Sequence, residues 1–172
     1  AFIDCGTVEI TDAELSTGQI GAWADGVQPV LRFKDSAAAV RDVNLRQTVD
    51  VTILAARVAT LNATPVSLIA APGAGLYIDV HRIHWMLAHN GVNYDGAGAG
   101  EDIAVSYTNA AGDEVVNRVD HSGFGDASAD AHAVVFGIDC VPVANAAVVA
   151  HLLSGEWYAA AGDGDLRAQI DY

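Results

Sequence analysis

The chain has 172 residues, 52% of them hydrophobic, and carries 22 acids against 8 bases for a formal charge of −14. A surface of that sign repels phosphate backbones and anionic headgroups, so direct binding to nucleic acid or to a membrane is not expected. The apolar content is too high for disorder, no apolar run is long enough to span a bilayer, and the length suits one domain with an appended segment or two small domains.

Much of the apolar content is Ala and Val, which suits thin sheets and close subunit contacts better than a thick helical core. The charge is uneven. Residues 1–58 hold eight acids and five bases, net −3, whereas residues 59–172 hold fourteen acids and three bases, net −11. Arg32, Lys34, Arg41, Arg46 and Arg57 lie in one stretch, which reads as a solvated face or a dock for an acidic partner. Cys5 and Cys140 are far apart and resemble no secreted disulfide framework, so free thiols are expected. The opening AFIDCGTVEI lacks a charged region followed by an apolar one, and no secretory leader is expected there.

In chain order, Thr11 followed three residues later by Glu14 marks a short helix start, soon interrupted by Gly18, Gly21 and Gly26. Residues 36–46 predict a second short helix. Val51, Ile53 and Ala55 alternate with their neighbours as a strand does. We place a division near Leu61-Asn62-Ala63, giving an N-terminal anchoring or oligomerisation segment over residues 1–60 and a β-sandwich domain over residues 61–172.

Residues 64–71 are rich in β-formers and end at the turn sequence Pro72-Gly73-Ala74-Gly75. Residues 76–89 predict a long strand in which Ile78 and Val80 share one parity while Ile83, Trp85 and Leu87 share the other. One buried face cannot serve both sets, so a bulge or bend is expected near His81-Arg82, unless both faces are buried.

Residues 90–100 read as a loop, and 102–108 as a strand with Ile103, Val105 and Tyr107 on one face. A hairpin connection at 109–113 leads to a return strand at 114–119. Residues 122–130 form a loop or a single helical turn. Strands follow at 133–141 and 146–153, and residues 157–161 extend the sheet. Gly162-Asp163-Gly164-Asp165 is a tight turn. Leu166, Ala168, Ile170 and Tyr172 then alternate with polar residues. Short strands at this spacing predict a mainly β chain, an antiparallel β-sandwich or jelly roll preceded by an extended or short-helix segment.

No catalytic, cofactor or metal site is assigned. Among His81, His84, His89, His121, His132 and His151, His81 and His84 have opposite parity on a regular strand. His81 and His89 share parity, but at about 3.3 Å per residue they are too far apart to hold one ion. These histidines read as hydrogen-bonded surface or interface residues. Asp95 with Glu101 and Asp102, Asp126 with Asp130, and Asp163 with Asp165 sit in Gly-rich loops of the kind calcium accepts. None matches the Asp-rich calcium loop with its closing Glu, and Asp and Gly also dominate ordinary turns. There is no Gly-x-Ser-x-Gly elbow, no P-loop and no reactive-cysteine signature. Trp85 reads as core, and Trp157 with Tyr158 as core or interface.

Four stretches resemble a group of small tailed-bacteriophage structural proteins: residues 61–75 (LNATPVSLIAAPGAG), 101–108 (EDIAVSYT), 143–149 (VANAAVV) and 162–172 (GDGDLRAQIDY). Their order and spacing carry the resemblance, which covers residues 61–172. It implies a non-enzymatic virion protein on the capsid surface, assembled in the host cytoplasm. The role implied is a capsid decoration or cement protein that binds between coat subunits and stabilises the head, with the major capsid protein or other virion proteins as partners. The alternative is a tail or head-fibre module that binds host receptor or glycan. A symmetric homo-oligomer, by preference a trimer, is expected, with no cofactor.

Overall fold

The computed structural model describes residues 46–94, 101–153 and 162–172, together with the backbone of residues 20–24, 29–34 and 40–43. The chain divides into two compact units, Ala1–Arg46 and Gln47–Tyr172.

In the first unit β1 (Ile20–Ala24), β2 (Pro29–Lys34) and β3 (Val40–Val43) form an antiparallel sheet in chain order. Trp23 lies opposite Val30, and Leu31 opposite Val43. The short helix expected over residues 36–46 is therefore corrected. Val40–Val43 is a strand, because pairing with β2 overrides a weak local helix preference in a stretch that begins and ends on a β-branched Val. The helix start expected at Thr11 lies outside the described residues.

The second unit contains β4 (Thr48–Ile53), the single helical turn α1 (Ala55–Val58), β5 (Val66–Ile69), β6 (Arg82–Ala88), β7 (Ile103–Tyr107), β8 (Ala131–Phe136), β9 (Val148–Leu152) and β10 (Asp165–Asp171). Its seven strands form two antiparallel sheets, four-stranded in the order β4-β10-β6-β8 and three-stranded in the order β5-β9-β7. The fold is mainly β and sandwich-like, as its alternating sequence predicts. The unit begins upstream of the division read near Leu61 because β4 pairs along its whole length with β10, from Leu166 opposite Ile53 to Asp171 opposite Thr48. Gln47 and Tyr172 close that ladder with two reciprocal backbone hydrogen bonds of 2.8 and 2.9 Å. A cut at residue 60 would strip an edge strand from the larger sheet.

Strand periodicity places the core. Ile53, Leu166, Ala168, Ile170, Ile83, Trp85, Leu87 and Val135 come from one sheet. Leu68, Val148, Ala150, Leu152, Ile103, Val105 and Tyr107 come from the other, and all belong to one buried cluster. Each large aliphatic side chain in it contributes about 1.5–3 kcal/mol by leaving water. Of the histidines, His121 and His151 are buried, against the expectation of surface or interface positions.

The strand expected over residues 76–89 is shorter, beginning only at Arg82. Ile78 and Val80 are buried on an irregular approach to it, so both parities reach the core by a break at the position where they conflict. His81 fixes the break by donating from its backbone N–H to Asp171 O and accepting from Gly137 N–H, both at 2.9 Å. Gly73 and Gly75 make the preceding turn at φ +111° and +77°, a region that a side chain would strain.

Residues 114–119 do not form a regular return strand. They make isolated bridges, Ile103 with Val119 and Ser106 with Glu114 toward β7, and Val116 with Gly137 beyond β8. Asn117 N–H also donates to Phe136 O at 3.1 Å. The segment divides its backbone groups between the two sheets and stitches one side of the sandwich, which prevents a continuous ladder with either. The strand expected at 133–141 runs instead over Ala131–Phe136, and residues 157–161 lie outside the described residues.

Tyr94 locks the approach to β10. It is buried, and its hydroxyl donates to the carbonyl of Gly164. A Cβ built on Gly162 would fall inside the Tyr94 ring. Gly162→Ala is therefore expected to cost about 1–3 kcal/mol through overpacking, read as a lower urea midpoint with unchanged slope. An unchanged midpoint would show that the ring moves aside freely. Among the described residues no helix is long and apolar enough to cross a membrane.

Candidate interaction surface

The outer face of the four-stranded sheet is a lattice fixed by strand register. Thr48, Asp171, Arg82 and Phe136 lie in one row, Asp50, Gln169, His84 and Val134 in the next, and Thr52, Arg167, Met86 and His132 in the third. The alternation that buries Ile83, Trp85 and Leu87 turns these residues outward.

The face changes character across the sheet. On the β4 and β10 side it is ionic. Arg82 pairs with Asp171 at 2.6 Å, Arg167 with Asp50 at 3.2 Å, and the Thr48 hydroxyl donates to Asp171 at 2.8 Å. Exposed pairs of this kind contribute at most about 1 kcal/mol each, so they shape the surface more than they stabilise the fold. On the β8 side it is apolar. Val134 and Phe136 are 47% and 58% exposed on the edge strand. Residues 114–119 cover the Phe136 end of this edge, so it is the outward apolar side chains that suit contact with another protein.

Four of the acids singled out in the sequence accept from backbone amides, one within its own turn and three across to distant segments. Asp163 accepts from Val92 N–H at 3.1 Å, Asp165 from Ala55 N–H at 2.9 Å, Asp130 from His89 N–H at 2.9 Å and Asp126 from Gly123 N–H at 2.6 Å. The Asp126 bond is a local turn bond, and the other three tie one segment to another. Glu101 is buried, and Asp95 lies outside the described residues. Among the described residues no group of three or more His, Cys, Asp or Glu side chains is placed to hold a metal ion.

Sequence reasoning missed two pairings, both across strands. Ser106 Oγ and His151 Nε2 are 3.0 Å apart, and His151 Nδ1 lies 3.2 Å from Leu152 O. The two are diagonal neighbours on β7 and β9, on the sheet face away from the core cluster. Both are almost fully buried, so the bond holds the sheet and presents no accessible nucleophile in this conformation. The second pairing joins His84 and His132 on the outer face, with ring centroids 5.4 Å apart. His89 instead braces its loop through Asn93 at 2.9 Å. Cys140 is a free thiol, half-buried beside Tyr107, and Cys5 lies outside the described residues.

No family model, no curated protein and no solved structure matches the chain.

Proposed function

We propose that this chain is a structural subunit of a tailed-phage virion, a decoration or cement protein that binds between coat subunits and stabilises the head. The observation that carries the reading is the outer sheet face, ionic on one side and apolar along β8, where Val134 and Phe136 are exposed. Such a face offers Val134 and Phe136 as the dry centre of a contact, with ion-paired and polar residues as its rim. Two further features support an assembly role over a chemical one. The loop carboxylates are spent on backbone amides, and the strongly negative charge keeps free subunits soluble until they dock. The resemblance of residues 61–172 to small phage structural proteins points the same way. Several weak contacts from a symmetric homo-oligomer, a trimer by preference, act together to give avidity on a repeating lattice.

Cryo-electron microscopy of the virion tests the proposal. Density for this chain at repeated positions across the capsid lattice is expected. Density confined to the tail or a fibre would transfer the reading to adsorption, and absence from the particle would overturn it. A Val134→Lys, Phe136→Glu double variant is expected to keep its circular dichroism and its thermal midpoint within a few degrees, because both positions face outward, yet to lose co-sedimentation with particles.

A further inference from the structure

We propose that His84 and His132 form a two-histidine binding site for a late first-row transition-metal ion such as Cu²⁺ or Zn²⁺ on the outer face of the four-stranded sheet. The inference stands independently of the virion reading.

Register brings the pair together. On the antiparallel β6–β8 ladder His84 lies opposite Val134 and His132 opposite Met86, so the histidines are diagonal neighbours. Both point away from the core, because Ile83, Trp85 and Val135 on the alternate parity are buried. His132 is exposed and His84 half-exposed, which leaves an open approach for an ion.

The spacing suits chelation. Two imidazoles that hold one ion at about 2.0–2.1 Å with a tetrahedral angle place their ring centroids about 5 Å apart. The observed separation is 5.4 Å with an interplanar angle of 39°. Diagonal cross-strand neighbours on a rigid sheet need little reorganisation to bind, unlike two histidines on a loop.

The surroundings select the class of ion. Met86, opposite His132, brings a thioether to the same part of the face. Imidazole and thioether donors favour Cu and Zn over Ca²⁺ or Mg²⁺, which require oxygen ligands. The nearest cations on the face, Arg82 and Arg167, are each paired with a carboxylate, Asp171 and Asp50. The chain's −14 charge attracts cations from a distance. Among the described residues no third His, Cys, Asp or Glu completes the shell, so the remaining positions take water or a ligand from a bound molecule.

Isothermal titration of the full chain with Cu²⁺ and with Zn²⁺ tests the site. One ion per chain is expected, with affinity at least about tenfold weaker in His84→Ala and in His132→Ala, and no further loss in the double variant. His89→Ala, which alters a loop histidine, is expected to bind as the unaltered chain does. Both outward positions tolerate alanine, which an unchanged circular dichroism spectrum checks. In nuclear magnetic resonance, substoichiometric Cu²⁺ should broaden the amides of residues 82–86 and 131–135 first. Equal affinity in the unaltered chain and the double variant, or broadening centred elsewhere, would overturn the proposal.

Discussion

Trp85→Ala is expected to cost about 3–5 kcal/mol, a large share of the roughly 5–15 kcal/mol that holds a domain folded. Trp85 is fully buried on β6, an interior strand of the larger sheet, between Ala168 on β10 and Ala133 on β8. Two alanines beside one indole divide the available volume in its favour, and neither is large enough to fill the space left by Trp85→Ala. Trp85→Phe separates packing from polarity. The indole Nε1 has no hydrogen-bond partner among the described residues. A buried donor without a partner costs about 1–3 kcal/mol, and phenylalanine removes that cost together with part of the apolar surface. The two effects oppose, and Trp85→Phe should stay within about 1 kcal/mol of the parent in urea melts followed by circular dichroism. A loss as large as that of Trp85→Ala would show that indole packing, not the unpaired Nε1, sets the energetics at this position.

The second large effect is alkaline. Tyr107 is buried, and its hydroxyl donates to Ile78 O at 2.6 Å. Burial first, then the negative charge that Cys140 and Asp79 carry when ionised, push its hydroxyl from 10.0 up to about 12. Tyr94 is raised further, again by burial first and then by Asp165 and Asp163. The Cys140 thiol beside Tyr107 is also pushed up by burial, although the Tyr107 hydrogen bond opposes the rise. For each tyrosine the folded chain holds its proton more tightly than the unfolded chain does. That contribution is complete below pH 10 and is lost as the pH climbs through about 12, at roughly 2–3 kcal/mol for Tyr107. Thermal midpoints are therefore expected to be insensitive to these groups near neutrality and to fall steeply from about pH 10. Tyr107→Phe should flatten part of the decline, while lowering stability at neutral pH by about 1–3 kcal/mol because the Ile78 carbonyl loses its donor. The difference in tyrosinate absorbance between the parent and Tyr107→Phe isolates this group, and a difference that titrates near pH 10 without unfolding would overturn the assignment.

The parts of the fold that were legible are those written in local alternation. Leu166, Ala168 and Ile170 repeat with period two, and all three are fully buried on β10. Ile103, Val105 and Tyr107 mark β7 in the same way, and the parity conflict between Val80 and Ile83 locates the irregularity before β6. What was not legible depends on which strands are neighbours. β10 inserts between β4 and β6, strands far upstream, and only that insertion explains why Thr48–Ile53 belongs to the second unit. Val40–Val43 had no pattern strong enough to announce a strand without its partner β2. Parity along a single strand correctly separates His81 from His84, but it cannot reveal His132, which reaches His84 across the β6–β8 ladder. Ser106 and His151 are 45 residues apart and meet for the same reason.

The reciprocal bonds between Gln47 and Tyr172 also decide how this unit bears load. Tension that separates those two residues acts at one end of the β4–β10 ladder, along its hydrogen bonds and perpendicular to the strands. The rungs would open singly, like a zipper, beginning with the pair nearest the pull. A pull through this corner opens the β4 edge first, while β6 stays clamped between β10 and β8.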